Sequence, residues 1–380
     1  MKQNKKIVLI GTAASSVLGF RASLIKALLA QQYSVYAFVS EYTQDELDKV
    51  AALGAIPVTY QLKRGGLNPL IDIKATYELS KKIKQIAPAL VFSYFAKPVI
   101  FGTLAANIAR VPKIIGMLEG LGYTFTAQPK GLSKKTQLIK SVQVLLYKLA
   151  LPQLNKLIFL NSDDPKDLLD KYNIKVKQVE ILGGIGLDLE EYAYQPVENI
   201  KQPINFIFVG RLLKEKGIHD FVSAAKIVKD NYPDTQFTVL GAIDTSNLGA
   251  LKQSELDKLI DLQVVNYSGQ VDNVKDWIVK ADVFVLPSYR EGLPLSTQEA
   301  MAIGRAVITT DVPGCRETVV NGVNGFLVEK WNPQALAEKM TYFIENPEQV
   351  AIMGNKSYKI AQEKFDANEV NERLLSILES

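Results

Sequence analysis

The sequence predicts an α/β protein built from two similar, doubly wound domains. First, short strand-like apolar runs alternate with helical patterns along the chain, which is the rhythm of parallel sheets with helical crossovers. Second, this rhythm stops once, in a stretch of glycine, proline and acidic residues at 181–203, and then begins again. Third, the chain has 380 residues, 47% of them hydrophobic, which is enough for two separate cores.

The strand and helix patterns divide the chain into four parts. In the first half they predict strands at 5–11, 33–40, 89–94, 113–122 and 156–161, and helices at 20–31, 43–54 and 99–110. In the second half they predict strands at 204–210, 235–241, 264–269, 282–288, 306–311 and 325–328, and a helical end at 347–379. We therefore expect a first domain at 1–185, a linker at 186–204, a second domain at 205–355, and a terminal helix at 356–380 that packs back toward the first domain.

The composition excludes several kinds of site. The only cysteine is Cys315 and the only histidine is His219. A disulfide framework, a cysteine-cluster or histidine-rich metal site and a serine-histidine-aspartate triad elsewhere in the chain are therefore hard to build. We expect His219 to lie on a helix surface, outside any site.

The charge is divided unevenly along the chain. Residues 1–180 hold 25 Lys and Arg against 12 Asp and Glu, whereas the remainder holds 19 against 28. A basic half suits an anionic surface or substrate. The lysines are dispersed among apolar segments rather than clustered with aromatic residues, so nucleic acid is disfavoured as the partner.

We expect a cytoplasmic protein that is associated peripherally with the inner membrane. The apolar run at 7–10 is too short for a signal peptide, and no run reaches the ~18 residues of a spanning helix. Residues 132–151 could instead form an interfacial helix, with an apolar stripe beside Lys134, Lys135, Lys140 and Lys148. The stripe consists of Leu138, Ile139, Val142, Leu145, Leu146 and Leu149. A core helix is the alternative, because Val144 and Tyr147 fall off the stripe.

Gly11 ends the first strand and opens a turn, where helix amides could meet a phosphate or substrate. The stretch 11–16 is not a GxGxxG motif. No acidic residue of the dinucleotide-binding type stands out at the end of the second strand beyond Glu41. A dinucleotide-dependent dehydrogenase is therefore disfavoured.

Two cations follow the first strand of the second half. Arg211 and Lys216 come after the strand at 204–210 and before a helix, with Gly210 and Gly217 beside them. A diphosphate would suit this arrangement, because arginine offers a planar donor fork and lysine a mobile charge, while glycine lets the backbone approach closely. A solvated basic turn is the alternative.

Two carboxylates flank the start of a later helix. Glu291 follows the strand at 282–288, and Glu299 lies eight positions further along, with Gly292, Pro294 and Gly304 around them. Carboxylates accept hydrogen bonds from hydroxyls, so this pair above a diphosphate clamp would suit a nucleotide sugar. Either glutamate singly could instead satisfy the helix dipole.

These motifs resemble the retaining glycosyltransferases of family 4, which have the GT-B fold of two Rossmann-like domains facing a cleft. The resemblance covers 205–330 and includes the whole Glu-x7-Glu pattern. It implies that Arg211 and Lys216 neutralise the leaving diphosphate, that Glu291 holds the transferred sugar, and that Glu299 holds the ribose. It further implies that Gly292, Leu293, Pro294, Leu295 and Ser296 line the sugar and phosphate, and that Gln270 and Val271 meet the base.

The first half is similar to bacterial members that extend undecaprenyl-diphosphate-linked saccharides, in the stretches KRGGLNP at 63–69 and GMLEGLGYTFT at 116–126. Many members carry a histidine near the sugar in this domain, and here the stretch reads SYFAKPVIFG at 93–102. This departure draws attention to Lys97 and Glu119. We expect Glu119 at the carboxyl edge of the first sheet, on the acceptor side, although a surface or capping glutamate is the alternative.

The expected activity is transfer of a hexose or N-acetylhexosamine from a UDP-sugar to a lipid-linked saccharide at the inner face of the membrane, in surface-polysaccharide or glycoprotein assembly. No metal is expected to be needed, since Arg211 and Lys216 already offset the leaving charge. Same-face displacement and a covalent intermediate both remain open. Two other functions remain as alternatives, a nucleotide-sugar epimerase of the same fold and a non-catalytic nucleotide-sugar-binding protein.

Overall fold

In a computed structural model, the chain is described over residues 5–62, 69–129, 131–197 and 202–380. Most of the motif at 63–69 lies outside these residues. The chain divides into two compact units. The first unit comprises 1–121, 134–186 and 367–380, and the second comprises 122–133 and 187–366.

The first unit contains a parallel sheet of seven strands in the order β3-β2-β1-β4-β5-β6-β7. The strands are β1 (Lys6–Ile10), β2 (Ser34–Val39), β3 (Ile56–Thr59), β4 (Leu90–Tyr94), β5 (Lys113–Leu118), β6 (Lys156–Phe159) and β7 (Val179–Ile181). The order reverses between β1 and β4, which are neighbours in register from Ile7 opposite Leu90 to Ile10 opposite Ser93. Open α/β sheets bind their ligands at the carboxyl ends of strands beside such a reversal.

The helices of the first unit follow the strands in turn. They are α1 (Ala14–Leu18), α2 (Ala22–Ala30), α3 (Gln44–Ala52), α4 (Pro69–Ile86), α5 (Thr103–Ile108), α6 (Lys134–Ala150) and α7 (Asp163–Pro165), with short 3-10 or π turns at 98–102, 151–153 and 166–170. The final helix α14 (Ala367–Glu379) belongs to this unit and packs against α2. Lys156 Nζ donates to the carbonyl of Ile377 and so satisfies the carboxyl end of α14.

The second unit contains a parallel sheet of six strands in the order β10-β9-β8-β11-β12-β13. The strands are β8 (Asn205–Val209), β9 (Gln236–Leu240), β10 (Asn266–Gly269), β11 (Val283–Leu286), β12 (Ala306–Thr310) and β13 (Gly325–Val328). Here the reversal lies between β8 and β11, where Val283 is opposite Phe206 and Phe284 is opposite Ile207. β11 and β12 are fully buried, as expected for central strands covered on both faces.

The helices of the second unit are α8 (Ile218–Lys229), α9 (Gln253–Asp261), α10 (Val274–Lys280), α11 (Leu295–Ile303), α12 (Pro333–Glu345) and α13 (Glu348–Phe365), with 3-10 turns at 123–125 and 214–216. α12 packs against α8, and α11 packs against α13. The two sheets confirm the predicted fold class, and every strand predicted from the sequence has a counterpart. β3 and β7, both at edges of the first sheet, were not predicted.

Two details of the sequence analysis were wrong. The predicted strand at 113–122 ends at Leu118, because Gly120 and Gly122 adopt positive φ angles, which a strand cannot continue through. The helical end at 347–379 is broken at Asp366 into α13 and α14.

Candidate active site

The candidate site of the second unit is built at the carboxyl ends of β8 and β11, the two strands beside the reversal. Gly210 follows β8, and its N–H donates to the carbonyl of Leu240 on β9. Arg211 comes next, and a 3-10 turn at Lys214–Lys216 carries Lys216 into α8. The order of the strands therefore brings these residues to the same edge as Ser288 and Glu291, which follow β11.

Arg211 is held by a carboxylate from the neighbouring loop. Its Nη1 lies 2.8 Å from Oδ2 of Asp244. The other oxygen of Asp244 accepts from the N–H and the hydroxyl of Ser246. Half of the Arg211 side chain is exposed, so the guanidinium is oriented and still open to a ligand.

Lys216 and Glu291 form an enclosed ion pair in the site. Nζ of Lys216 lies 2.5 Å from Oε1 of Glu291, with side-chain exposures of 17% and 11%. The buried Ser288 hydroxyl donates to the same oxygen over 2.7 Å. The carboxylate is therefore fixed by a cation and a hydroxyl, which is the arrangement that holds a hydrogen-bond acceptor ready for a substrate.

Buried Glu215 joins the charged groups of this edge. Burial raises the pKa of its carboxyl, whereas neighbouring Lys216 and Arg211 lower it and Glu291 raises it. The charges of Arg211, Lys216 and Glu291 thus all shift the pKa of the buried Glu215 carboxyl. The backbone carbonyl of Glu215 accepts from the N–H of Tyr289, which ties the turn that carries Lys216 to the loop after β11.

Two glycines allow the loops of the site to approach each other. Gly217 has a φ of 74°, and a Cβ there would lie 2.0 Å from the carbonyl oxygen of Pro287. Gly314 has a φ of 79°, and a Cβ there would lie 2.4 Å from the carbonyl oxygen of Glu291. Any other residue would push these loops apart.

The start of α11 forms the wall beside Glu291. Gly292, Leu293 and Pro294 are buried, whereas Leu295 and Ser296 are partly exposed in the first turn of the helix. The Ser296 hydroxyl donates to the carbonyl of Val209 at the end of β8. The amino end of a nine-residue helix is therefore fixed at the strand edge that carries Arg211, where its unpaired N–H groups favour an anion.

Glu299 lies on the second turn of α11 and is paired with a tyrosine. The Tyr192 hydroxyl donates to its Oε1 over 3.1 Å. Burial raises the pKa of Glu299 to about 7, the hydrogen bond from Tyr192 lowers it, and the nearby Glu191 carboxylate raises it. Gln270 and Val271 follow β10 at the outer end of this sheet, with Gln270 exposed and Val271 partly exposed.

Gly11 in the first unit is enclosed by aromatic residues. Its N–H donates to the carbonyl of Phe38, and its carbonyl accepts from Tyr60. A Cβ at Gly11 would lie 2.4 Å from Oη of Tyr94. Close packing against Tyr94 is therefore the reason in this structure for glycine at the end of β1.

Glu119 follows β5 at the carboxyl edge of the first sheet and is buried in an ion pair with Nη2 of Arg21. The Arg21 guanidinium lies over the ring of Tyr94, 4.5 Å from its centroid. Burial raises the pKa of Glu119, and Arg21 opposes this rise. The carboxylate therefore lies at the expected edge, with 8% of its side chain exposed and Arg21 as its partner.

Lys97 lies after β4, close to the reversal of the first sheet. Its Nζ is 3.6 Å from Oδ1 of the buried Asp72 on α4. Burial lowers the pKa of Lys97, and Asp72 opposes this effect. Phe95, two residues earlier, has a φ of 71°, a strained conformation of the kind that clusters at functional edges.

Both partners of the Lys216–Glu291 pair were predicted from the sequence, whereas the other side-chain contacts each join one predicted residue to one that was missed. The missed residues are Arg21, Asp72, Tyr192, Asp244 and Ser288. Ser288 could have been found, because it ends the predicted strand at 282–288, three positions before Glu291. Among the described residues, no group of three or more His, Cys, Asp or Glu side chains is arranged to hold a metal ion.

Comparison with known families decides the class of protein. The family of glycosyl transferases group 1 matches residues 192–360, and the glycosyl transferase 4-like family matches residues 6–161. The chain is a glycosyltransferase of the GT-B fold. The two matches lie on the two halves of this glycosyltransferase and include every candidate site residue that was predicted from the sequence.

Relatives and solved structures agree with this assignment. The glycosyltransferase is 28% identical to the N,N'-diacetylbacillosaminyl-diphospho-undecaprenol alpha-1,3-N-acetylgalactosaminyltransferase of Campylobacter jejuni, over 98% of each chain. It is 28% identical to the UDP-Gal:alpha-D-GlcNAc-diphosphoundecaprenol alpha-1,3-galactosyltransferase of Escherichia coli, over 68% of this chain and 67% of the other. It shares its fold with Anabaena HepE in complex with UDP and glucose, with a TM-score of 0.77 at 16% identity over 99% of each chain.

Proposed function

We propose that this glycosyltransferase moves a hexose or N-acetylhexosamine from a UDP-sugar to a saccharide carried on undecaprenyl diphosphate, in the assembly of a surface polysaccharide or a glycoprotein glycan. The observation that carries the proposal is the enclosed cluster of Lys216, Glu291 and Ser288 beside Arg211. Two cations and a fixed carboxylate at the amino end of α11 suit a diphosphate attached to a sugar. The acceptor class is supported by the names of the relatives, which include two diphospho-undecaprenol substrates.

Each group of the second unit has a proposed role in binding the donor. Arg211 and Lys216 offset the charge that develops on the departing diphosphate. Glu291 accepts hydrogen bonds from the transferred sugar, and Glu299 accepts them from the ribose. Gly292, Leu293, Pro294, Leu295 and Ser296 line the sugar and phosphate, Gly210 permits close approach after β8, and Gln270 and Val271 meet the base.

The proposed chemistry retains the anomeric configuration. The acceptor hydroxyl forms a bond to the anomeric carbon on the face from which the diphosphate leaves, while the bond from that carbon to the phosphate oxygen breaks. The proton of the acceptor hydroxyl passes to the departing phosphate. Catalysis then comes from positioning and from charge fixed before the reaction begins. This charge is supplied by Arg211 and Lys216, so we propose that the reaction proceeds without a metal ion and keeps its rate in EDTA.

We place Glu119 on the acceptor side. It lies at the carboxyl end of β5, where open α/β sheets hold ligands. Its ion pair with Arg21 gives it a fixed orientation, from which it could accept a hydrogen bond from the acceptor hydroxyl. Gly11, at the carboxyl end of β1, lies at the same edge of the first sheet.

A donor panel tests the proposed function. The protein is incubated with single UDP-sugars, with and without undecaprenyl-diphosphate-linked saccharides, and both UDP release and the lipid product are measured. We expect one donor to release UDP in step with extension of the lipid-linked saccharide. The product should retain the anomeric configuration, and the rate should be equal with and without EDTA. Conversion of the donor with no acceptor present would indicate an epimerase, and donor binding without turnover by any acceptor would indicate a binding protein.

We further propose that α6 attaches the protein to the inner face of the membrane. The helix buries Thr136, Val144, Tyr147 and Ala150. Of the predicted stripe, Leu138, Leu145 and Leu149 are between 55% and 66% exposed, and Ile139, Val142 and Leu146 are half-buried. Lys134, Lys135 and Lys148 are exposed on the same helix. An exposed apolar stripe with flanking lysines suits an anionic lipid interface. Among the described residues, no helix has the length and apolar character required to span a bilayer.

Sedimentation with vesicles tests this attachment. Vesicles of phosphatidylglycerol and phosphatidylcholine are expected to bind the wild-type protein, and vesicles of phosphatidylcholine alone to bind it about 100-fold less, because each of the three exposed lysines contributes about 1 kcal/mol near an anionic surface. Leu145→Ser with Leu149→Ser should abolish binding. Leu262→Ser, which removes a similarly exposed leucine of the second unit, should not. Binding that is indifferent to anionic lipid or to the double variant would contradict the role of α6.

A further inference from the structure

The segment that leads into the second unit is fixed along α11. The N–H of Gln195 donates to the carbonyl of Ile303, the last residue of α11, and the buried Arg305 donates to the carbonyl of Gln195. Asp188 closes the start of the segment by accepting from the N–H groups of Glu190 and Glu191. The backbone on both sides of Tyr192 is therefore held in place.

Tyr194, two residues after Tyr192, strengthens this attachment. Its ring stacks on Tyr358 of α13 with centroids 4.3 Å apart, and its hydroxyl accepts from Asn355. It also packs on Gly304, where a Cβ would lie 2.5 Å from the Tyr194 ring. A flexible linker would need none of these contacts.

The consequence of the attachment is the position of Tyr192. Ile303 lies one helical turn beyond Glu299 on α11, so a segment fixed at Ile303 brings Tyr192 against that turn. Its hydroxyl donates to Oε1 of Glu299 over 3.1 Å. The side chain of Tyr192 is itself partly enclosed, which limits the directions from which it can donate.

We propose that Tyr192 is a positioning residue for nucleotide binding: its hydroxyl holds one oxygen of Glu299 and leaves the other to accept the ribose hydroxyls of the donor. This inference rests on the proposed role of Glu299 in the donor site. Tyr192 acts through Glu299 and touches neither the sugar nor the reacting atoms, so it governs affinity for the nucleotide rather than the rate of transfer.

The ionisation of Glu299 gives the inference a distinctive readout. A carboxylate that accepts from ribose hydroxyls and from Tyr192 must be ionised, and burial already raises its pKa to about 7. The Tyr192 hydroxyl lowers that pKa, and the Glu191 carboxylate raises it. Removal of the hydroxyl should therefore let a proton compete with the nucleotide over a wider range of pH.

The experiment is calorimetric titration of UDP into wild-type protein, Tyr192→Phe, Glu299→Gln and the double variant, each at pH 7 and pH 9. Tyr192→Phe should weaken UDP about tenfold at pH 7, because loss of the hydroxyl raises the pKa of Glu299 further and leaves less of the carboxylate ionised. The loss should shrink severalfold at pH 9, where Glu299 is ionised in both proteins. Tyr192→Phe should have no further effect in Glu299→Gln, and kcat at saturating donor should stay within about twofold of wild type.

Tyr232→Phe is the matched control, because the Tyr232 hydroxyl donates to the Glu345 carboxylate in the same unit, over 2.7 Å. It should bind UDP like the wild type at both pH values. Loss of affinity by Glu299→Gln together with wild-type affinity for Tyr192→Phe would overturn the inference. An equal loss for Tyr192→Phe at both pH values would also overturn it, since that result reports a structural defect. Wild-type affinity for Glu299→Gln, or no binding of UDP by the wild-type protein, would instead contradict the proposed donor site.

Discussion

At the scale of single residues, the two cations of the proposed donor site differ in their surroundings. Lys216 is 17% exposed and contacts Glu291, whereas Arg211 is 50% exposed and is held by Asp244. Charge acts more strongly where water is excluded. We expect Lys216→Ala to lower kcat by about 100-fold or more, as the loss of a preorganised charge does in other enzymes, and Arg211→Ala to lower it somewhat less.

Steady-state UDP release measures both variants. Lys229→Ala is the control, because it removes a half-buried lysine of α8 whose only described bond is to the carbonyl of Pro233, and it should turn over like the wild type. Circular dichroism should show that all three variants are folded. Near-normal turnover in Lys216→Ala would show that the diphosphate of the donor does not bind beside Lys216.

The sequence was sufficient to predict which charged residues meet at one edge of the second sheet, but not which residues hold them. Arg211, Lys216 and Glu291 follow predicted strands, and a parallel sheet necessarily brings such positions to one edge. Asp244 and Tyr192 reach their partners across 33 and 107 positions of the chain, through loops without periodicity. Such contacts depend on how loops pack, which no local pattern specifies.

At the scale of elements, the turn between β8 and α8 depends on one glycine. Gly217 must adopt a left-handed φ and must leave room for the carbonyl of Pro287. Gly217→Ala adds both a strained conformation, which costs about 1–3 kcal/mol, and a clash with rigid backbone. We expect it to lower the melting temperature by several degrees and, because the turn carries Lys216, to lower kcat as well.

The control separates strain from crowding. Gly322 has a φ of 79°, close to that of Gly217, but a Cβ there would meet nothing within 4 Å. Gly322→Ala should therefore have only the smaller thermal effect and should keep its activity. Equal melting temperatures and equal rates for the two variants would show that the contact with Pro287 is unimportant.

Elements were predicted well where they are central and poorly where they lie at an edge. β3 and β7 were missed because they have four and three residues and exposed or half-exposed side chains, so they lack the apolar runs of buried strands. The buried face of α6 could not be predicted, because this helix has apolar residues on two faces. Periodicity alone could not indicate that Val144 and Tyr147 face the core while Leu145 and Leu149 face outward.

At the scale of the whole molecule, donor and acceptor chemistry are assigned to different units, and ligand-linked stability can test this division. A ligand that binds only the folded protein stabilises it by about 2.7 kcal/mol at 100 times its dissociation constant. UDP should therefore raise the melting temperature of the wild-type protein. Glu299→Gln and Lys216→Ala, both in the second unit, should lose most of that rise.

The same division predicts the opposite behaviour for Glu119→Gln. The substitution leaves Arg21 without its buried partner, so it should lower the melting temperature of the unliganded protein. The rise caused by UDP should remain, since Glu119 belongs to the first unit, while transfer to a lipid-linked acceptor should fall sharply. Loss of the UDP-induced rise in this variant would mean that Glu119 acts on the donor, and unchanged transfer would remove it from the acceptor site.

The pH dependence of the UDP-induced rise follows from the sign of the pKa shift at Glu299. Its pKa in the folded protein is about 7, above the ordinary value of 4.5, so the unliganded folded state holds a proton that the unfolded state has already lost. The stability that this proton provides is complete below pH 4.5 and is lost as the pH rises through 7. UDP needs the ionised carboxylate, so its stabilising effect should grow between pH 6 and pH 8 in the wild-type protein, relative to Glu299→Gln measured in the same buffers. If UDP raises the melting temperature equally at both pH values, after comparison with Glu299→Gln, the nucleotide binds without contacting the Glu299 carboxylate.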